Sequence, residues 1–153
     1  MTKKQIKFFT IFPAAVFLFS LACYFFVKPI SRKTFLFESF DSGRICIETR
    51  SFPIQSKEKQ LKLFVDELLL GPWNPRYRSI FPHGTHTIFC FFRNKTLFIN
   101  FSGDIIKSDS SSSDINLGFV LFRKNILHNF KYIKNIRMFA DGHEISELPV
   151  VNG

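Results

Sequence analysis

The side chains able to do chemistry are few and scattered. His83 and His86 have HxxH spacing. A zinc site needs a third and fourth ligand, and no His or Cys pair stands near them, so no metal is expected. Ser102-Gly103-Asp104 lacks the GxSxG frame of a nucleophile elbow. Glu38, Asp41 and Asp104 are the carboxylates that could pair for glycan cleavage, yet nothing in the sequence brings two of them into one cleft. The expectation is therefore a protein with no catalytic residues and no cofactor. An envelope hydrolase acting on cell-wall glycan or peptide is the alternative. Cys46 and Cys90 lie in strand-like runs and can form a disulfide if the domain is outside the cytoplasm. The plainer reading makes them two small buried strand residues.

Two groups of side chains suit binding better than catalysis. Glu48 and Arg50 are two apart on an expected strand, so they point the same way. They form either an exposed ion pair or a polar contact that locks a hairpin to a helix or a partner. Trp73, Arg76, Tyr77 and Arg78 form the candidate interaction surface, because exposed Trp, Tyr and Arg dominate interface energies. The competing reading places Trp73 over the core beneath a helix end.

The elements that must position these groups follow from periodicity. In Ser56–Pro72, Leu61, Phe64, Val65 and Leu68 recur at i, i+3, i+4 and i+7, one face of a helix. Ser56 is the expected N-cap, with Glu58 in the first turn. Gly71 and Pro72 end the helix. Thr34 to Phe52 reads as a hairpin about Asp41-Ser42-Gly43. Trp73 to Thr85 reads as a long exposed loop. His86–Phe92 and Thr96–Phe101 are strands. Thr87, Phe89 and Phe91 share one face of the first; Leu97, Ile99 and Phe101 share one face of the second. Ser108–Ser113 reads as a mobile polar loop that also supplies a helix cap. A second helix runs from Asp114 to about Lys131, weakened locally by Gly118. Ile136, Met138 and Ala140 alternate as a last strand. The expected fold is α+β: a small mixed or antiparallel sheet with two packed helices, in the order hairpin, helix, two strands, helix, strand.

The chain has 153 residues and a formal net charge of +9. Met1 to Lys33 contains six cations and no acid, so the other 120 residues carry only +3. Charge concentrated beside an apolar segment is a topology signal, not a nucleic-acid face. Phe8–Val27 is uncharged and long enough to span a ~30 Å hydrocarbon core as a helix. It reads as a transmembrane anchor with the domain outside the cytoplasm. A lipoprotein signal, with lipidation at Cys23 after Ala22, is the alternative. Residues 1–7 form a basic tail, 28–33 a linker, 34–145 the domain and 146–153 a C-terminal tail. The element order partly mimics an RNA-recognition fold, but Thr96–Phe101 lacks the stacking motif of such folds, and no nucleic-acid partner is expected.

Five short motifs fall in order along these elements: Glu48-Thr49-Arg50 closes the hairpin, and Leu68-Leu69-Leu70-Gly71-Pro72 ends the first helix. Pro82-His83-Gly84-Thr85 precedes the central strands, Ile99-Asn100-Phe101-Ser102 ends them, and Ala140-Asp141-Gly142 ends the last strand. Together they resemble the GerMN domain, the sporulation and spore-germination module of bacterial envelope proteins, over roughly Thr34 to Glu144. Asn100 stands where an acid is common in that family. The resemblance implies an extracytoplasmic, membrane-tethered module without agreed catalytic residues. Its expected partners are the membrane and an envelope protein or a second copy of itself, with peptidoglycan a further candidate.

Overall fold

The computed structural model describes residues 13, 15–21, 30–107 and 109–145. The chain divides into two compact units, Met1–Ile30 and Ser31–Gly153. In the first, residues 13 and 15–21 are helical. Among the described residues no helix is long and apolar enough to cross a membrane. Most of the span expected over Phe8–Val27 lies outside the described residues, as do Cys23, the start of the linker and the tail 146–153.

The second unit is α+β. Its strands are β1 (Ile30–Ser39), β2 (Ile45–Pro53), β3 (Tyr77–Arg78), β4 (Thr87–Arg93), β5 (Thr96–Phe101), β6 (Asn135–Ala140) and β7 (His143–Glu144). The helices are α1 (Lys57–Leu70) and α2 (Ile115–Asn129), with a 3-10 turn over Gly103–Ile106. The strands form two sheets where one was expected, in the orders β2-β1-β3 and β4-β5-β6-β7. β3 divides the expected Trp73–Thr85 loop: Glu38 and Ser39 pair antiparallel with Arg78 and Tyr77. β5 and β6 are parallel, the crossover between them being α2.

α1 forms as its periodicity requires. Ser56 Oγ accepts from the Lys59 backbone N–H, and Leu61, Phe64, Val65 and Leu68 are buried. Burying those four contributes roughly 6–12 kcal/mol of gross hydrophobic stabilisation. Gly71 follows with φ 94°, and a Cβ there would lie 2.6 Å from Ser79 Oγ. α2 starts at Asp114, whose carboxylate accepts from the Asn116 N–H. Gly118 answers a packing demand: a Cβ at that position would lie 2.3 Å from the Ile80 carbonyl oxygen.

Phenylalanines fill the core in two groups. Phe35, Phe52 and Phe64 stack, with Phe130 edge-on to Phe64. Phe81 packs with Phe101, Phe119 and Phe122. Leu97, Ile99 and Phe101 of β5 are fully buried. On β4 the alternation runs the other way: Cys90 and Phe92 pack on the core, while Phe89 and Phe91 stand outside with Phe98 and Phe139.

β1 has an unusual second edge. Beyond the short β3 pairing, two asparagines of α2 take the place of a strand. Asn125 accepts from the Leu36 N–H and donates to the Leu36 carbonyl. Asn129 does the same for Thr34. Four residues apart, they lie on one face of the helix.

Candidate interaction surface

Arg50 organises the end of α1. Although it sits on an edge strand, only 2% of its side chain is exposed. One terminal nitrogen donates to the Glu67 carbonyl and carboxylate. The other donates to Glu48 at 3.0 Å and to the Gly71 carbonyl at 2.7 Å. The guanidinium also lies 4.5 Å from the Phe35 ring centroid and 4.7 Å from that of Trp73. Its Nε has no partner. The Glu48–Arg50 pair is thus a buried lock between the hairpin and the carbonyl end of α1, not an exposed ion pair.

Glu48 extends the lock into the following loop by accepting from the backbone N–H groups of Trp73 and Asn74. Trp73 is 72% exposed, so it does not close the core. Its backbone is fixed by Glu48 and its ring rests near Arg50. A shallow cavity of about 180 Å³ beside it is lined by Arg50, Phe52, Leu63, Glu67 and Trp73, among others. That volume is below the ~300–1,000 Å³ usual for small-molecule sites.

Of the other candidate surface residues, Arg76 is exposed and Tyr77 and Arg78 are half-buried in β3. Arg78 is not a free docking cation. It donates to the Ser110 and Ser112 carbonyls, approaches Glu38 at 3.9 Å and lies 4.5 Å from the Phe40 ring centroid.

These contacts correct the expectation of a mobile serine loop. Over residues 109–113 the Ser111 N–H and hydroxyl donate to Asp109, Ser113 Oγ donates to Glu38, and the Ser113 N–H donates to the Ser79 carbonyl. Ser112 and Ser113 are buried. Hydrogen bonds from Ser111 and the His83 backbone draw the Asp109 carboxyl down to about 2.

The remaining motif residues form a second hydrogen-bonded knot where β4 begins and where β5 and β6 end. Thr85 donates to the Pro82 carbonyl through both its N–H and its hydroxyl. Gly84 has φ 89°. The Ser102 N–H donates to the His86 carbonyl, and the His86 N–H donates to the Ser102 hydroxyl. The Asp141 N–H donates to the Phe101 carbonyl, and the Gly142 N–H to Asn100 Oδ1. Asn100 is buried and serves here as a neutral acceptor.

The carboxylates considered for hydrolysis are engaged by different neighbours. Glu38 accepts from Ser113, Asp41 sits exposed in the hairpin turn, and Asp104 accepts from Ser102 and pairs with Lys107. The bonds from Lys107 and Ser102 hold the Asp104 carboxyl below the usual range, which suits a standing anion and not a general acid. The His83 N–H donates to Asp109, and the His86 ring contacts the Gly84 carbonyl. Among the described residues no three His, Cys, Asp or Glu side chains are grouped to hold a metal ion.

Cys46 and Cys90 are free thiols, so the disulfide weighed from sequence is not formed. They belong to different sheets, Cys46 on β2 and Cys90 on β4. Burial pushes the Cys90 thiol up to about 12, where thiolate chemistry is suppressed.

A two-sheet α+β module with two motif-bearing locks is what the fold and site define. The chain belongs to the family described as Germane, sporulation and spore germination, which matches residues 35–146. The first GerMN domain of the sporulation protein GerM from Bacillus subtilis is similar in structure, with TM-score 0.54 and 18% identity over 78% of this chain and 90% of that one. The tandem GerMN domains of the same protein give TM-score 0.56 and 16% identity over 80% of this chain and 43% of theirs. A candidate lipoprotein from Clostridium perfringens gives TM-score 0.51 and 17% identity over 78% and 80%. No curated protein matches the chain by sequence.

Proposed function

We propose that this chain is a membrane-tethered, non-catalytic assembly module whose domain, residues 34–145, works outside the cytoplasm in the bacterial envelope. The observation that carries this reading is Trp73. An indole 72% exposed, with its backbone fixed by Glu48 and its ring beside Arg50, is preorganised to enter a protein partner at little entropic cost. Arg76 nearby supplies an exposed cation. Family membership supports the envelope setting, and the sporulation proteins similar in fold give the cellular process to examine first. Peptidoglycan is a secondary partner on this reading.

The test is a photo-crosslinking residue placed at Pro75, exposed in the same loop as Trp73, in living cells, followed by capture and mass spectrometry. A recurrent envelope protein or a ladder of self-links is the expected result. Wall fragments alone would replace the assembly reading with glycan binding. Trp73→Ala should remove the crosslinked partner while leaving the melting midpoint within about 1 °C of the parent, since exposed positions cost little stability.

A further inference from the structure

Eight of the seventeen cations of the folded unit are gathered where its chain begins. The β4–β5 turn carries Arg93 and Lys95, both exposed. The Lys95 carbonyl accepts from the backbone N–H groups of Lys134 and Asn135, bringing the start of β6 to the same place. Lys131 and Lys134 in the preceding loop are exposed as well. Tyr132 of that loop donates to the Lys57 carbonyl and lies 5.3 Å from Lys57 Nζ, which adds the first turn of α1 with Lys57 and Lys59. Lys33 reaches the Asn129 carbonyl at the end of α2, and Gln60 reaches Ser31, which adds the start of β1 with Arg32. At this end the acid on these segments is Glu58. Among the described residues these cations form no ion pair with an acid, whereas Arg50, Arg78, Lys107 and Arg137 are all paired. At the far end of β1 and β5 stand Asp41, Asp104, Asp109, Asp114 and Asp141, together with Arg44, Arg76, Arg78 and Lys107.

We infer that this basic end is a docking surface for anionic phospholipid headgroups, seating the domain on the membrane end-on. The inference rests on the tethered reading above. Two residues, Lys28 and Pro29, separate the apolar run ending at Val27 from the first residue of β1. At ~3.3–3.6 Å per residue, a segment that short allows the start of β1 no more than about 10 Å from the end of the run, within reach of the headgroups on the tethered reading. Opposite charge is therefore presented to the cations wherever the tether is embedded. Each Lys or Arg at an anionic surface contributes about a fivefold gain in partitioning, screened beyond a Debye length of ~8 Å at physiological salt. At the far end acids offset the cations, so that end gains no comparable attraction and the same charge distribution sets orientation. Trp73, at the end of α1 remote from Lys57, is then held away from the bilayer and free to meet a partner.

The test uses the fragment 28–153, which retains every residue of the buried core from Phe35 to Met138. Co-sedimentation is measured with phosphatidylglycerol vesicles and with phosphatidylcholine vesicles, at low and at high salt. Binding to the anionic vesicles alone, lost at high salt, is expected. The double variant Lys131→Glu/Lys134→Glu should weaken it about 25-fold or more. The matched double variant Arg44→Glu/Arg76→Glu, at the opposite end, should change it less than about twofold. Thermal melts confirm that both variants remain folded. Equal binding to both vesicle types, no binding to either, or equal loss in both variants overturns the inference. So does displacement from vesicles by an equal phosphate concentration of soluble polyphosphate, which would assign the surface to a free polyanion. Fractionation of the full chain tests the tether separately: wild-type protein in the soluble fraction would refute the anchor whatever the vesicles show.

Discussion

Arg50 is a single side chain on which a hairpin, a helix end and a loop all depend. Arg50→Met should cost about 3–5 kcal/mol, because Glu48 and the helix-terminal carbonyls lose their donor inside the fold. The measurement is the urea midpoint. Arg50→Lys should recover only a minor part, since an ammonium cannot reproduce the two-pronged contacts. Gly118 makes the opposite kind of prediction. On propensity alone Gly118→Ala should stabilise α2 by about 1 kcal/mol. The Ile80 carbonyl 2.3 Å from the new Cβ reverses the sign, and a net loss of about 1–3 kcal/mol is expected. Asp109 gives a pH signature. Its carboxyl falls from an ordinary 3.8 to about 2 in the folded protein. Its contribution is therefore complete above about pH 4 and is lost as the pH falls toward 2. The stability difference between the parent and Asp109→Asn should shrink over that interval in acid titrations followed by circular dichroism. Asp104 and Glu144, also drawn down, add slopes of the same sign to both proteins and cancel in the difference.

Among the elements, α1 was legible from end to end, because one apolar stripe, one capping serine and one glycine all agree. The split into two sheets was not legible. Alternation shows which residues share a face, but not which strand sits beside which. β4 shows the limit: alternation put Thr87, Phe89 and Phe91 on one face but could not say which face meets the core, and the core takes Cys90 and Phe92 while Phe89 and Phe91 stay outside. The asparagine pair on α2 left a faint trace. Asn125 and Asn129, four apart and flanked by Leu121 and Ile126, place amides on a buried stripe, which is costly unless backbone groups await them. Asn125→Leu should therefore destabilise by about 2–4 kcal/mol despite added hydrophobicity, since it strands both polar groups of Leu36. Hydrogen exchange at the Leu36 amide would report the opened edge directly.

For the molecule as a whole, the resemblance read from five motifs agrees with the family match over residues 35–146. The motifs were recognisable one by one, but their association into two locks was not, because Arg50 and Gly71, or Asn100 and Gly142, meet only after the chain has folded back. Of the candidate surface, Arg76 could be read as exposed from its setting among prolines, while Trp73 stayed open between an exposed position and one over the core. The internal duties of Arg78 could not, since its partners lie 32 and 34 residues further on. Deleting Met1 to Val27 should move the protein from the membrane fraction to the supernatant after a high-salt wash; persistence in the pellet would reveal a second attachment stronger than charge. The asparagine contacts also bear on how the chain acquires its form. They join β1 to residues 89 and 95 positions further along. The strand that leaves the ribosome first thus waits for nearly the whole domain before its far edge is sealed. Until α2 arrives, that edge offers unpaired amides to any passing strand. If the chain crosses a membrane from its N-terminus, the interval lasts as long as translocation does, so the speed of export sets how long the nascent domain stays open to mispairing.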